Sequence, residues 1–179
     1  EGQNLTVEYR WSEGLYGRLP AFAADLVGRK VDVIVADAGP AAYAAKDATS
    51  TIPIVFLFGG DPVRQGLVAS LARPDGNLTG INFFASELDA KRLALLHELV
   101  PKAVRIAVLV NPANIPATER ELRELPDAAR AIGLQIRVLN ASTRSEIEAA
   151  FATLVRDRDD ALYVAGDVFF TSRRVQFAT

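Results

Sequence analysis

The stretch TIPIVFLFGGDPVRQGLVASLARPDGNLTGINFF, residues 51–84, carries the pattern that decides the fold. It opens with an uninterrupted apolar run over residues 52–58, rich in β-branched and aromatic side chains, which predicts a parallel strand buried on both faces. Glycines and a proline then end this strand, and a second, shorter strand is predicted over residues 79–83. We interpret the stretch as the end of one lobe and the crossing to the next.

Strand-like and helix-like patterns alternate on both sides of this stretch. Further buried strands are predicted over residues 31–36, 104–110 and 161–165, and amphipathic helical patterns lie between them. This alternation is typical of βαβ units with parallel sheets. The sequence therefore predicts an α/β fold with two Rossmann-like lobes, formed by residues 1–84 and 85–179.

Several residues match the signals that begin or interrupt helices. Ser86 is a suitable N-cap, and Pro126 is expected to kink or split the helix in which it falls. Two capping boxes are predicted, Thr118 with Glu121 and Thr143 with Glu146.

The two halves differ in what precedes their strictly alternating strands, residues 5–10 and 134–139. A buried strand and a helix come before the second of these strands, and nothing comes before the first. If the halves are equivalent, one strand and one helix are expected upstream of Glu1. An unfinished helix over residues 173–179 predicts further chain downstream, so we interpret the chain as an internal fragment.

Composition excludes several classes of protein. Apolar residues make up 50% of the chain, charged residues 23%, and the net charge is -2, a globular balance without the basic excess of a nucleic-acid-binding protein. No apolar run approaches the roughly 20 residues of a membrane-spanning helix. Cysteine is absent, which excludes disulfides, thiolate metal sites and cysteine catalysis.

The candidate ligand site lies where the predicted strands end, because open parallel sheets bind ligands at the carboxyl ends of their strands. The loops there share short amides, hydroxyls, acids and glycines. Asp61, beside two glycines that permit close backbone approach, is the strongest candidate to pair with a ligand ammonium group. Asp167 is its counterpart in the second half. For both residues the alternative is an N-cap or turn role, which Asp commonly has.

Catalytic signatures are missing from the sequence. It has no phosphate-binding loop, no GxGxxG after a strand and no GxSxG elbow. His97 is the one histidine, and its surroundings lack the second histidine of a zinc protease. The sequence predicts binding instead of turnover, with no enzyme activity, no cofactor and no metal.

Four segments resemble the ABC transporter substrate-binding proteins often labelled as tryptophan/tyrosine transport system binding proteins. They are EGQNLTVEYRWSEGLYGRLPAFAADLV, the stretch quoted above, KRLALLHELVPKAVRIAVLVNP and FATLVRDRDDALYVAGDVFFTSRR. The resemblance implies the type I periplasmic-binding-protein fold, in which two lobes joined by crossing segments close on a ligand in their cleft. It also implies a periplasmic monomer, with a signal peptide upstream, that delivers its ligand to an ABC permease in the membrane and binds no nucleic acid.

By position, the resemblance carries the cleft residues of the family onto this chain. They are Ala38, Gly39, Pro40, Gly60, Asp61, Pro62, Val63, Asn82, Phe83, Asn111, Asn140 and Asp167. The implied ligand is a small polar molecule, an amino acid with an aromatic or branched side chain. Two alternatives stay open, namely the ligand-sensing domain of a regulator or receptor with the same fold, and an enzyme whose catalytic residue lies outside this span.

Overall fold

The chain forms two three-stranded parallel sheets with helices around them, in a computed structural model that describes residues 4–74 and 76–178, the Glu87 side chain excepted. The strands are β1 (Ile34–Asp37), β2 (Ile54–Phe58), β3 (Leu78–Asn82), β4 (Arg105–Val110), β5 (Gln135–Asn140) and β6 (Ala161–Val164). The helices are α1 (Leu19–Gly28), α2 (Gly39–Ala48), α3 (Asp89–Leu99), α4 (Ile115–Ala131), α5 (Arg144–Asp157), α6 (Val168–Ser172) and α7 (Arg174–Ala178). Short 3-10 helices cover Tyr16–Arg18 and Ala85–Leu88. The predicted α/β fold is confirmed, and Thr179, the end of the last predicted helix, lies outside the described residues.

The first sheet has the order β1-β2-β3, and its middle strand forms the centre of one core. Ile54, Phe56 and Phe58 alternate along β2 and are all buried. They belong to one apolar cluster with Ala42 and Ala45 of α2, whose small side chains let the helix lie close to the sheet. The strand predicted over residues 52–58 is thus present, two residues shorter at its start.

The second sheet has the order β5-β4-β6, and β4 is buried along five of its six residues. Ile106, Val108 and Val110 belong to one apolar cluster with residues of α3 and α4. Leu109 belongs to another cluster with residues of α5 and α6. Because successive side chains of a strand point to opposite faces, β4 contributes to two cores, and helices cover the sheet on both sides.

The strand predicted over residues 5–10 is wrong. The segment pairs with no strand among the described residues. Alternation indicates two different faces, but a strand forms only where a neighbouring strand supplies ladder hydrogen bonds. Side chains hold the segment instead, since Arg10 bonds Asp25 of α1 and Arg29 pairs with Glu8 at 3.3 Å. The apolar side chains of residues 5–10 stay largely exposed.

Two of the predicted helix starts are also wrong. Ser86 does not cap α3, because the 3-10 helix Ala85–Leu88 comes first and α3 begins at Asp89. Thr118 lies inside α4, where its hydroxyl donates a 2.6 Å hydrogen bond to the Asn111 carbonyl. Its predicted capping box with Glu121 therefore does not form.

The other capping box is confirmed. The Thr143 side chain accepts a hydrogen bond from the Glu146 backbone N–H, and the Glu146 carboxylate accepts one from the Thr143 backbone N–H. Pro126 does not split α4, which is one helix from Ile115 to Ala131, and the predicted kink stays a prediction. Buried residues lie on both sides of the proline, so packing against the core outweighs the lost backbone hydrogen bond.

Candidate functional site

The predicted site loops lie at the carboxyl edges of the two sheets. In the first sheet Asp37 is in register with Leu57, and Phe58 with Asn82, so the loops after β1, β2 and β3 leave at one level. In the second sheet Val110 is in register with Asn140. Parallel pairing therefore gathers the loops of each half, which is the arrangement that a ligand site at strand ends requires.

The loop after β2 is compact and fixed in place. Asp61 uses its carboxylate to accept hydrogen bonds from the backbone N–H groups of Val63 and Arg64, at 2.9 and 3.0 Å. Two side chains of α2 hold the far end, since the Tyr43 hydroxyl donates to the Gln65 carbonyl at 2.9 Å and Lys46 donates to the carbonyl oxygen of residue 66 at 2.7 Å. Burial raises the pKa of Tyr43 to about 12, so the phenol stays a donor. Asp61 has the predicted turn role and still lines an open pocket.

Gly60 and Gly39 keep this edge free of side-chain bulk. A Cβ atom on Gly60 would lie 2.2 Å from the Gln65 amide nitrogen, and one on Gly39 would lie 3.0 Å from the Phe58 ring. Between β1 and α2, Ala38 has φ 76 and ψ 157, a backbone conformation that residues with a side chain rarely adopt. Its N–H nevertheless bonds the Leu57 carbonyl at 3.1 Å, which ties the start of α2 to β2.

A pocket of about 450 Å³ lies between this loop and α4. One side, the first wall, consists of Asp61, Arg64 and Gln65. The other side, the second wall, consists of Pro116, Glu119, Arg120, Arg123 and Glu124. We call this the interlobe pocket, because the first wall follows the first sheet and the second wall follows β4 of the second sheet. Its lining is charged or polar apart from Pro116.

Arg120 is the most firmly held residue of the second wall. Its side chain is only 11% exposed, and its guanidinium lies 2.8 Å from the Asp89 carboxylate, 3.3 Å from that of Glu121 and 3.2 Å from that of Glu124. The buried hydroxyl of Tyr163 donates to Asp89 at 2.8 Å, and burial raises the pKa of that hydroxyl well above its ordinary value. These bonds join α3, α4 and β6 behind the pocket.

Glu121 is the unusual member of this network. Burial raises its pKa from 4.5 to about 8, the nearby Arg120 opposes that rise, and the negative charges of Asp89 and Asp167 add to it. A carboxyl group in this position is mostly protonated at neutral pH. It can then donate a hydrogen bond, which an ionised carboxylate cannot do.

Asp167 is fully engaged within the protein. Its carboxylate accepts hydrogen bonds from the Tyr16 hydroxyl at 2.9 Å, the Asn111 amide at 3.0 Å, the Asn114 amide at 2.8 Å and the Phe169 backbone N–H at 2.9 Å. Three of these donors meet Oδ1 and one meets Oδ2, so both oxygens already have a partner inside the protein. Of the two predicted partners for a ligand ammonium group, Asp61 is therefore the one that faces an open pocket.

Four more of the predicted site residues fall into three groups, and Pro40 and Pro62 do not line the pocket. Asn111 is buried, and its amide oxygen accepts from the Ala113 N–H, so this side chain is used inside the protein. Asn82 accepts from the Phe84 N–H, while its amide nitrogen is buried without a hydrogen-bond partner in the described part of the chain. Phe83 and Asn140 are exposed, and neither lines the interlobe pocket.

Sequence reasoning missed the second wall. Its five residues recur at positions 116, 119, 120, 123 and 124, the spacing of one face of a helix. The sequence predicts ligand contacts in the loops at strand ends, and a charged helix face looks like an ordinary solvated surface. Tyr16 was missed as well, because nothing in the local sequence connects it to Asp167.

Within residues 4–74 and 76–178, no three histidine, cysteine, aspartate or glutamate side chains come together in a way that could hold a metal ion. None of the helices in that part of the chain is long and apolar enough to span a bilayer.

Comparison with known proteins places these features in context. A family profile described as ABC transporter substrate binding protein matches residues 1–175. The chain is 33% identical over 172 residues to a tyrosine-binding protein of Clostridioides difficile strain R20291, covering 96% of this chain and 49% of that protein. It thus spans about half the length of this curated relative. The family and the relative are both described as binding proteins, which confirms the prediction of binding instead of catalysis.

Two solved structures share the fold. A conserved domain protein from Vibrio cholerae is 29% identical with a TM-score of 0.78, and the match covers 91% of this chain and 54% of that one. An ABC domain in complex with L-Trp from Streptococcus pneumoniae is 24% identical with a TM-score of 0.76, over 91% of this chain and 55% of that one.

Proposed function

Because the chain belongs to the ABC transporter substrate-binding protein family, we propose that it is part of an extracytoplasmic receptor that captures an amino acid for an ABC importer. The ligand occupies the interlobe pocket, and the loaded receptor delivers it to a permease in the membrane. The receptor works in the periplasm as a monomer. This role needs a binding site between two parts that can move, and it needs no chemical step.

The single observation that carries the proposal is the interlobe pocket itself. Its walls come from separate sheets, and each wall presents an acid and an arginine to the same space. The head group of an amino acid carries an ammonium and a carboxylate group, so its binding site needs an anion and a cation within reach. Asp61 is the proposed partner of the ligand ammonium group, since its loop is fixed by α2 and its carboxylate lines the pocket.

The similarity to a tyrosine-binding protein over 96% of this chain favours an amino acid, with tyrosine as the first ligand to test. A further contact is proposed from the strand-end loops. Phe83 is exposed close to the crossing segment but outside the pocket lining, so we propose it as an apolar contact of the ligand side chain in the closed arrangement only.

The proposed mechanism is hinge closure about the segment after β3. A ligand that contacts both walls stabilises the closed arrangement by its higher affinity for it. We place the main boundary between the lobes at residues 84 and 85, with Tyr16 of the first segment packed on the second lobe. Phe84 supports this choice, because it has φ 47 and ψ 31, a left-handed conformation that is uncommon for a bulky residue and marks a sharp change of chain direction.

Thermal unfolding of the full-length protein with each of the twenty amino acids tests the proposal. A ligand at about 100 times its dissociation constant stabilises the folded state by roughly 2.7 kcal/mol, which shifts the midpoint measurably. Tyrosine or another aromatic amino acid is expected to give the largest shift. If no amino acid shifts the midpoint, the proposed function is wrong.

Asp61→Asn tests the ammonium site without removing the turn, because the Asn oxygen can still accept the two backbone hydrogen bonds. The shift with amino acid should shrink or disappear in this variant. Asp47→Asn is the matched control, since Asp47 is an exposed acid of α2 that does not line the pocket. Equal shifts in both variants would remove Asp61 from the site.

A further inference from the structure

The two walls of the interlobe pocket carry the same pair of charges. The first wall has Asp61 and Arg64, three residues apart in one turn, and the second wall has Glu119 and Arg123, one helical turn apart on α4. Each wall therefore has an anionic and a cationic position facing the same space. If the two walls move together, as hinge closure requires, the arginines of the two walls approach and repel each other.

Arg64 and Arg123 are the exposed cations of the pocket, with guanidinium groups that a ligand can reach. The Arg64 guanidinium lies 3.6 Å from the Asp61 carboxylate, and that of Arg123 lies 3.6 Å from the Glu124 carboxylate. Both distances exceed the 2.7–3.2 Å of a usual hydrogen bond. Their side chains are 78% and 69% exposed, in contrast to Arg120, which three acids surround.

An anion placed between two such arginines changes the energetics of closure. Without it, two positive charges approach through a narrowing, less hydrated space, and their repulsion grows as water leaves. With a carboxylate between them, each guanidinium can donate two parallel hydrogen bonds, and the repulsion becomes a bridge. The same group thus binds and closes the pocket.

We propose that Arg64 and Arg123 hold the carboxylate of the ligand between the two walls, one arginine from each. This inference rests on the proposed function, because it takes the ligand to be an amino acid in the interlobe pocket. The ammonium group of the ligand then lies next to Asp61, which neighbours Arg64 on the first wall. Affinity for amino acids depends on a free carboxylate for this reason, and closure depends on both arginines.

Direct pairing across the pocket is the competing arrangement. If Arg64 instead met Glu119 on closure, the walls would hold each other without a ligand carboxylate. Replacing Arg64 would then weaken every ligand to the same degree, whether or not that ligand carries a carboxylate. The two arrangements therefore predict different losses of affinity when an arginine is replaced and the ligand has no carboxylate.

Calorimetric titration of the full-length protein with L-tyrosine and L-tyrosinamide separates them. The amide keeps the ring and the ammonium group but has no carboxylate. Arg64→Gln and Arg123→Gln are compared with Arg130→Gln as a matched control. Arg130 lies on α4 like Arg123, is exposed, pairs with Asp127 and lies outside the pocket lining. Circular dichroism and thermal unfolding establish that all variants are folded.

We expect Arg64→Gln and Arg123→Gln each to lower the affinity for L-tyrosine by about 10- to 100-fold, the usual range for a lost charge-assisted hydrogen bond. Arg130→Gln should leave it within about twofold of the parent, as for a surface ion pair. L-Tyrosinamide should bind the parent weakly and should lose at most about threefold in the two variants, because the group that the arginines bind is already gone.

Three results would overturn the inference in different ways. Unchanged L-tyrosine affinity in both arginine variants shows that neither residue binds the carboxylate. Equal losses for L-tyrosine and its amide show direct pairing between the walls. A parent protein that binds neither L-tyrosine nor any other amino acid refutes the proposed function, and the inference falls with it.

Discussion

Replacing Glu121 by glutamine should change how stability depends on pH. Glu121 is 2% exposed, and burial raises its pKa to about 8 from the ordinary 4.5. The folded chain therefore holds this proton more tightly than the unfolded chain does. A carboxyl group with a raised pKa stabilises the folded state below pH 4.5, and the parent loses that contribution as the pH rises towards 8. Glutamine resembles the protonated form and has no proton to lose.

The size of the effect follows from the two pKa values. Between them, each pH unit lowers the free energy of unfolding of the parent by about 1.4 kcal/mol relative to the variant. The difference should grow by about 2–3 kcal/mol between about pH 5 and pH 7, and level off near pH 8 to 9. The glutamine oxygen can keep the contact with Arg120, so the variant is expected to fold well.

Urea unfolding of the parent and Glu121→Gln at whole pH steps from about 5 to 9 measures this difference. Other groups titrate in both proteins and cancel in the comparison. Glu124→Gln is the control, because that side chain is 47% exposed, also contacts Arg120 and has no comparable burial. Parallel stability profiles for parent and Glu121→Gln would refute the reasoning, since they would mean that Glu121 ionises equally easily in both states.

Three further substitutions test the packing of the protein by thermal or urea unfolding. Gly14→Ala should lower the free energy of unfolding by about 1–3 kcal/mol, because the new Cβ would lie 2.5 Å from the Phe169 ring and residue 14 has a φ of +84. An unchanged midpoint would mean that the ring moves freely. Tyr16→Phe should cost about 1–3 kcal/mol by removing a donor to buried Asp167, and a neutral result would show that other donors compensate. Thr143→Ala should cost about 1 kcal/mol, whereas Thr143→Ser should cost little, as expected for a lost cap; equal losses would argue against capping.

The pattern of apolar residues in the sequence made most of the fold predictable. Residues 52–58 are apolar on both faces, and a strand with that property must lie inside a parallel sheet covered on both sides. The alternating residues 134–139 were equally readable, and they form β5 within one position of the prediction. The same alternation over residues 5–10 gave a wrong strand, because periodicity describes the faces of a segment and says nothing about its neighbour.

Two identical capping patterns had opposite outcomes for a local reason. Thr143 stands outside its helix in extended backbone, so its side chain can turn back to the Glu146 N–H. Thr118 comes after Pro116, which occupies the first turn of α4 and marks where that helix begins. A threonine already inside a helix has no free N–H groups to cap, and it bonded a carbonyl instead.

The candidate site was only half visible in the sequence. Asp61 was recognised because glycine and proline neighbours mark a loop at a strand end, and that signal is local. Arg123 and the other residues of the second wall belong to a helix surface, and only the packing of α4 opposite the loop after β2 makes a pocket of them. The same local signals predict a ligand contact at Asp167, yet donors from distant parts of the sequence bond to its carboxylate.

The contact between Tyr16 and Asp167 has a consequence for how the chain reaches its fold. The two residues are 151 positions apart, and Tyr16 belongs to an apolar cluster made otherwise of residues from the second sheet and its helices. Closing so long a loop is entropically costly and slow. During synthesis on the ribosome, Tyr16 can make this contact only after residue 167 has emerged. A chain split between the lobes would leave that cluster unfinished until the two pieces meet again.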